Sequence, residues 1–239
     1  MKKPVLFFVF FVIFRLSYGQ NLTFYGFLPA INQTGPINKK LSYNVFASTT
    51  IDAFKEKIGG LEYPATDLQF YFQPSLIYMI SPKVNVAGSY TYQRNNPFNN
   101  NFVNEHRLWQ QAIFSFPVSN GKITARLRVE ERFIENRTTQ KYPLFTRLRQ
   151  QIGWNKPLQG KVLDDHEFYL NMYNEFYFSV TGNKNATYSE NWSYVGVGYQ
   201  LGKLGKIEVG NLFQVAVRNK QQDLRFLELG QITWITNFK

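Results

Sequence analysis

Apolar and polar residues alternate over long runs of this chain. In 122–134, Ile123, Ala125, Leu127, Val129 and Phe133 fall on one face, while Thr124, Arg126, Arg128, Glu130 and Arg132 fall on the other. In 166–179, Phe168, Leu170, Met172, Phe176 and Phe178 oppose Glu167, Tyr169, Asn171, Tyr173, Glu175 and Tyr177. In 83–94, Val84, Val86, Tyr90 and Tyr92 oppose Asn85, Ser89, Thr91 and Gln93. A period of two marks β-strands with two unlike faces. The pattern predicts eleven strands, at 22–31, 40–51, 66–79, 83–94, 104–116, 122–134, 143–155, 166–179, 191–202, 206–218 and 224–238. No helical period of useful length occurs. Strands of soluble proteins usually run about 3–10 residues, whereas a tilted strand needs about 9–11 to cross a bilayer. Most of these runs are longer than the soluble range.

The breaks between runs are of two kinds. Five are tight polar turns with a lysine just before a new apolar start: GPINKKL (35–41), ISPKV (80–84), VSNGKI (118–123), PLQGKV (157–162) and LGKLGKI (201–207). Their lysines, Lys40, Lys83, Lys122, Lys161 and Lys206, are spaced 43, 39, 39 and 45 residues apart. A repeat of that length with two strands per unit is an array of β-hairpins, which must stack or close to cover its apolar faces. The other joins, 52–65, 95–103, 135–142, 180–190 and 219–223, are mostly longer and rich in Asn, Thr, Pro and charge. Short turns at one end and long loops at the other are the habit of outer-membrane barrels, in which the short turns are periplasmic. The expectation is an all-β, closed, antiparallel up-and-down transmembrane β-barrel. Because bacterial barrels use an even strand number, about ten strands are expected in the wall, with twelve as the alternative. In the ten-strand reading 22–31 is left outside the wall as a periplasmic or lumen segment.

Composition changes the picture in three places. Aromatic residues make up 18% of the chain and charged residues also 18%, with a mean hydropathy of −0.31. That balance excludes a helical membrane protein and suits a wall with aromatic girdles over a polar lumen. Cysteine is absent, which excludes disulfides, thiolate metal sites, thiol nucleophiles and a lipoprotein anchor. Lys2 and Lys3, the apolar run 5–14 and the Ser17-Tyr18-Gly19 site read as a signal peptide over 1–19, leaving 20–239 as the barrel. Its removal lowers the formal charge from +11 to +8. The lysines are spread over turns without a basic block, so no nucleic-acid partner is expected.

The segment EHRLWQQAIFSFPVSNGKITARLRVEERF (105–133) resembles a Bacteroidota outer-membrane barrel family of unknown function, through its R-L-W-Q-Q strand and the R-x-R-x-E-x-R-F strand after it. TRLRQQIGWNKPLQG (146–160), EFYLNMYNEFYF (167–178) and WSYVGVGYQLG with KIEVGNLFQ (192–214) fit as well. The resemblance implies location and fold but no activity. An amphipathic C-terminal strand with Phe238 near its end suggests outer-membrane lipid and the barrel-assembly machinery as partners.

Charged residues on a lipid-facing wall cost about 2–4 kcal/mol near the midplane. Parity therefore turns Arg107, Arg126, Arg128, Glu130, Arg132, Arg147, Arg149, Glu167 and Glu175 into one lumen network. Such a network braces and plugs a narrow barrel, or lines an anion-selective constriction. A soluble β-sandwich or barrel binding module is the rival reading, and a lipid-modifying barrel enzyme is a third. Catalysis is not expected. His106 should lie at the long-loop end and His166 at the short-turn end, and neither has a serine two residues beyond it. The Asp164-Asp165-His166-Glu167 cluster reads as a solvated turn, and the glycines at 196, 198, 202 and 205 have no helix after them to make a phosphate loop. Neither metal nor cofactor is expected.

Overall fold

The computed structural model describes residues 21–54, 56–58, 61–63, 66–119, 121–182 and 185–237. The signal peptide expected over 1–19 and the terminal Phe238 lie outside these residues. The strands are β1 (Leu22–Pro36), β2 (Leu41–Asp52), β3 (Glu56–Ile58), β4 (Leu61–Tyr63), β5 (Thr66–Ser81), β6 (Val84–Asn95) and β7 (Val103–Val118). They continue as β8 (Gly121–Ile134), β9 (Leu144–Pro157), β10 (Phe168–Ser179), β11 (Tyr188–Gln200), β12 (Lys206–Val217) and β13 (Leu224–Asn237), with one short 3-10 turn at Gly202–Leu204. Among the described residues no helix is long and apolar enough to cross a membrane.

Eleven strands close into a barrel in the order β1-β13-β12-β11-β10-β9-β8-β7-β6-β5-β2. The expected all-β closed barrel is thus present, with one wall strand more than ten. The extra strand is β1. It pairs parallel with β13, from Leu22 opposite Arg225 to Thr34 opposite Asn237, and antiparallel with β2, from Gly26 opposite Asp52 to Pro36 opposite Ser42. Residues 22–31 therefore belong to the wall. Strand direction alternates around the ring, so an odd number returns out of phase, and one pair must run parallel. All other wall neighbours are antiparallel. The reason β1 reads ambiguously is its composition: Leu22, Phe24, Leu28 and Ala30 are buried inward while Tyr25, Phe27 and Ile31 stay exposed outward, so both faces are apolar.

All five turn lysines lie at one end of the barrel: Lys40 before β2, Lys83 between β5 and β6, Lys122 near the start of β8, Lys161 between β9 and β10, and Lys206 at the start of β12. The two-residue turn after β7 needs Gly121 at φ +103°, and a Cβ there would run into the Asn155 carbonyl on the neighbouring strand. The connection from Pro157 to Phe168 is longer than the turn motif alone suggested. The opposite end carries the long joins, including the β3–β4 hairpin. The start of β1 is there too: the Leu224 backbone N–H donates to Asn21 Oδ1 at 2.9 Å.

The two faces differ sharply. Outward-facing Phe27, Leu76, Leu127, Ile152, Val195, Val209 and Ile232 are all exposed, Ile152 at 63%. Tyr90, Tyr92, His106 and Tyr142 pack ring to ring toward the long-loop end, and Phe168 packs on Tyr199 toward the turn end. Three polar residues outside bond to one another: Asn174 Nδ2 donates to Ser193 Oγ at 2.7 Å, and Asn191 Nδ2 donates to Asn174 Oδ1 at 3.1 Å.

Candidate functional site

The inward faces of β7 to β11 carry an unusual density of charge. Every second residue of β7, β8 and β9 points into the barrel, which places Glu105, Arg107, Arg126, Arg128, Glu130, Arg132, Arg147 and Arg149 in one layer. Glu130 sits at its centre with no solvent exposure. Its Oε2 accepts from Arg147 Nε at 2.9 Å and Nη2 at 2.6 Å, and its Oε1 accepts from Arg149 Nη1 at 2.7 Å. Arg149 also bridges to Glu175 on β10, donating from Nε and Nη2 at 2.8 Å each. Glu175 accepts a further bond from Arg126 Nη2 at 2.6 Å and one from Tyr177 Oη at 3.1 Å. Arg147 reaches on to Glu190 of β11 at 3.2 Å, whose other oxygen takes the Trp192 indole N–H at 2.9 Å.

A second knot lies on β6, β7 and β8. Glu105 accepts from Arg132 Nε at 2.6 Å and Nη2 at 2.9 Å and also from Arg107, which in turn donates to Gln93. Arg128 lies beside Glu130 in the first knot. It donates to Gln111 Oε1 at 3.0 and 2.7 Å, lies 3.7 Å from Glu130, and stacks over the Trp109 ring with its guanidinium carbon 3.8 Å from the centroid. Trp109 is held by Thr91 at 3.1 Å and Gln73 at 3.2 Å. Burial of an ion is costly unless geometry and hydrogen bonding repay it. Here each buried carboxylate has at least two donors.

The facing side of the lumen is apolar. Leu22, Phe24, Leu28 and Ala30 of β1 form one cluster with Tyr194 of β11, Leu212 of β12, and Leu227 and Leu229 of β13. Phe46, Leu68, Tyr173 and Trp192 pack against it. Glycine makes room where rings lie flat on the wall. A Cβ on Gly198 would collide with the Tyr169 ring, and one on Gly196 with Tyr194 Oη. Nearer the turn end Glu208 accepts from Asn171 Nδ2 at 3.0 and 3.1 Å.

Of the nine charges expected to meet in the lumen, eight do. Glu167 does not: it precedes β10, and its carboxylate accepts the Asp164 backbone N–H at 3.1 Å in the turn-end connection. Glu167 lies one residue before the start of β10, where strand alternation no longer sets the direction of a side chain. Glu105 and Glu190 complete the network and were not anticipated. Glu105 shares the parity of Arg107 and was readable on that ground. Glu190 was assigned to a loop because β11 begins at Tyr188, earlier than the alternation suggested. His106 lies on the outer face, its Nδ1 2.6 Å from Tyr90 Oη, and His166 lies near Tyr199 beside the turn-end connection. The two histidines are at opposite ends of the barrel.

Chemically, the layer holds its carboxylates in charge-assisted bonds and turns six guanidiniums toward four carboxylates, an excess of two positive charges. Such an arrangement braces strands and fills space. In comparison with protein families, a family described as "Protein of unknown function (DUF2490)" matches residues 28–225. No curated protein matches the chain.

Proposed function

The chain belongs to the DUF2490 family, and on that premise we propose that it is a non-enzymatic outer-membrane β-barrel with an occluded lumen, a structural or surface-displaying barrel rather than an open pore. The observation that carries the reading is the filled cross-section. Glu130 and Tyr177 have 0% exposure, and Trp109, Glu105, Glu175, Leu212 and Leu229 no more than 2%. Charged residues fill one side and the β1–β13 apolar cluster fills the other.

The membrane part of the proposal draws support from the outer wall. Large exposed apolar side chains surround it, whereas soluble monomers rarely expose contiguous apolar patches beyond a few hundred Å². Wall strands of 12–16 residues are long enough to cross a bilayer with tilt. By the usual sorting of connections, the lysine-bearing end faces the periplasm and the long joins face outward.

Planar-bilayer recording tests occlusion. The wild type is expected to give no current above a detergent blank. Steady single-channel currents from the wild type would overturn the occluded reading in favour of a pore. Cell fractionation tests location, and recovery in the soluble periplasm would sink the membrane reading.

A further inference from the structure

The outer wall carries a groove of about 970 Å³ that the occluded lumen leaves unexplained. It runs across five neighbouring strands, from Trp234 on β13 past Ile31 on β1 and over Ala47 and Thr49 on β2 to Phe70 on β5 and Arg94 on β6. These residues follow the strand registers. Trp234 stands opposite Ile31, Ile31 opposite Ala47, Thr49 opposite Phe70, and Phe70 opposite Arg94. Small side chains on β2 form the floor and large ones form the banks, with Phe98 of the β6–β7 join at the rim. Four inter-strand steps of ~4.8 Å give a length of about 19 Å. That exceeds half of a ~30 Å hydrocarbon core, so an acyl chain can lie obliquely along it.

One end of this apolar groove is cationic. The Arg94 guanidinium lies over the Phe102 ring at 3.7 Å, and Arg137 approaches the same ring at 5.6 Å. Arg94 Nε is buried with no hydrogen-bond partner. Among the described residues the ion-paired arginines are all in the lumen network, and none of those pairs involves Arg94. Asp67, at the same end, accepts from Thr49 Oγ1 at 3.4 Å instead. A guanidinium with no ion pair among the described residues, at the loop end of a chain-length apolar groove, complements an anion attached to an acyl chain.

We propose that the groove binds one phosphate-bearing membrane lipid, with an acyl chain over Ala47 and Thr49 and phosphate oxygens accepting from Arg94. The proposal rests on the membrane reading above. The test uses the full barrel folded in non-ionic detergent micelles, with folding followed by heat-modifiable gel migration and lipid retention by native mass spectrometry. One phosphatidylglycerol per barrel is expected, held in preference to diacylglycerol, which lacks the phosphate. Arg94→Gln is expected to weaken retention by about 10–100-fold, with Arg94→Lys in between, and Ala47→Phe is expected to exclude the chain while leaving folding intact. Equal retention of both lipids by a folded barrel, or undiminished retention by Arg94→Gln, overturns the lipid site and leaves the membrane reading standing. A barrel that stays soluble and monomeric without detergent overturns both.

Discussion

Glu130 takes three short bonds from Arg147 and Arg149 with no access to water. Glu130→Gln keeps the shape but removes the carboxylate that Arg147 and Arg149 share, leaving Arg147 only Glu190 and Arg149 only Glu175. Breaking a buried pair in this way costs about 3–5 kcal/mol, so the urea midpoint of the detergent-folded barrel should fall accordingly. Arg126→Gln should cost less, about 1–2 kcal/mol, since Arg126 is partly exposed and Glu175 keeps Arg149. Gly198 makes a different argument. Gly198→Ala drives a methyl group into the Tyr169 ring, an overpacking cost of about 1–3 kcal/mol. In a Tyr169→Leu background the same change should cost clearly less, giving a non-additive double-mutant cycle. Parity shows which way eight of the nine expected lumen charges point; Glu167, just before β10, is the exception. It does not show which arginine meets which carboxylate, because partners such as Arg126 and Glu175 are 49 residues apart and meet only through strand register.

β1 is the element on which sequence and structure part. Its pairing makes a specific claim: Phe27 stands opposite Gly230 across the parallel seam, both on the outer face. In the otherwise cysteine-free chain, Phe27→Cys with Gly230→Cys should cross-link on mild oxidation, since neighbouring strands bring the Cα atoms within disulfide reach. A segment lying outside the wall would leave both thiols free. The other ten wall strands were legible because polar and apolar faces alternate. Alternation fades in β1, where both faces are apolar, and the even-number habit of bacterial barrels then argued against a strand that the fold in fact uses. A strand with exposed apolar side chains on its outer face and an apolar lumen cluster on the other has no polar face to show.

For the whole molecule, the odd strand number separates the two ends of the barrel's chain path: β1 starts at the long-loop end, whereas β13 finishes at the lysine-bearing end. A single cysteine at Asn21 should react with a membrane-impermeant maleimide on intact cells, and one at Lys40 should not. Labelling at Lys40 alone would reverse the proposed orientation. The all-β class, the two-faced strands and the sorting of lysine turns from long joins can be read along the chain, since these depend on neighbours one or two residues apart and on simple spacing. Closure at eleven strands, the parallel seam and the filling of the lumen emerge in three dimensions. Closure depends on how the last strand meets the first, more than 200 residues away. Filling depends on how side chains from opposite walls share one cross-section, and no local pattern encodes either.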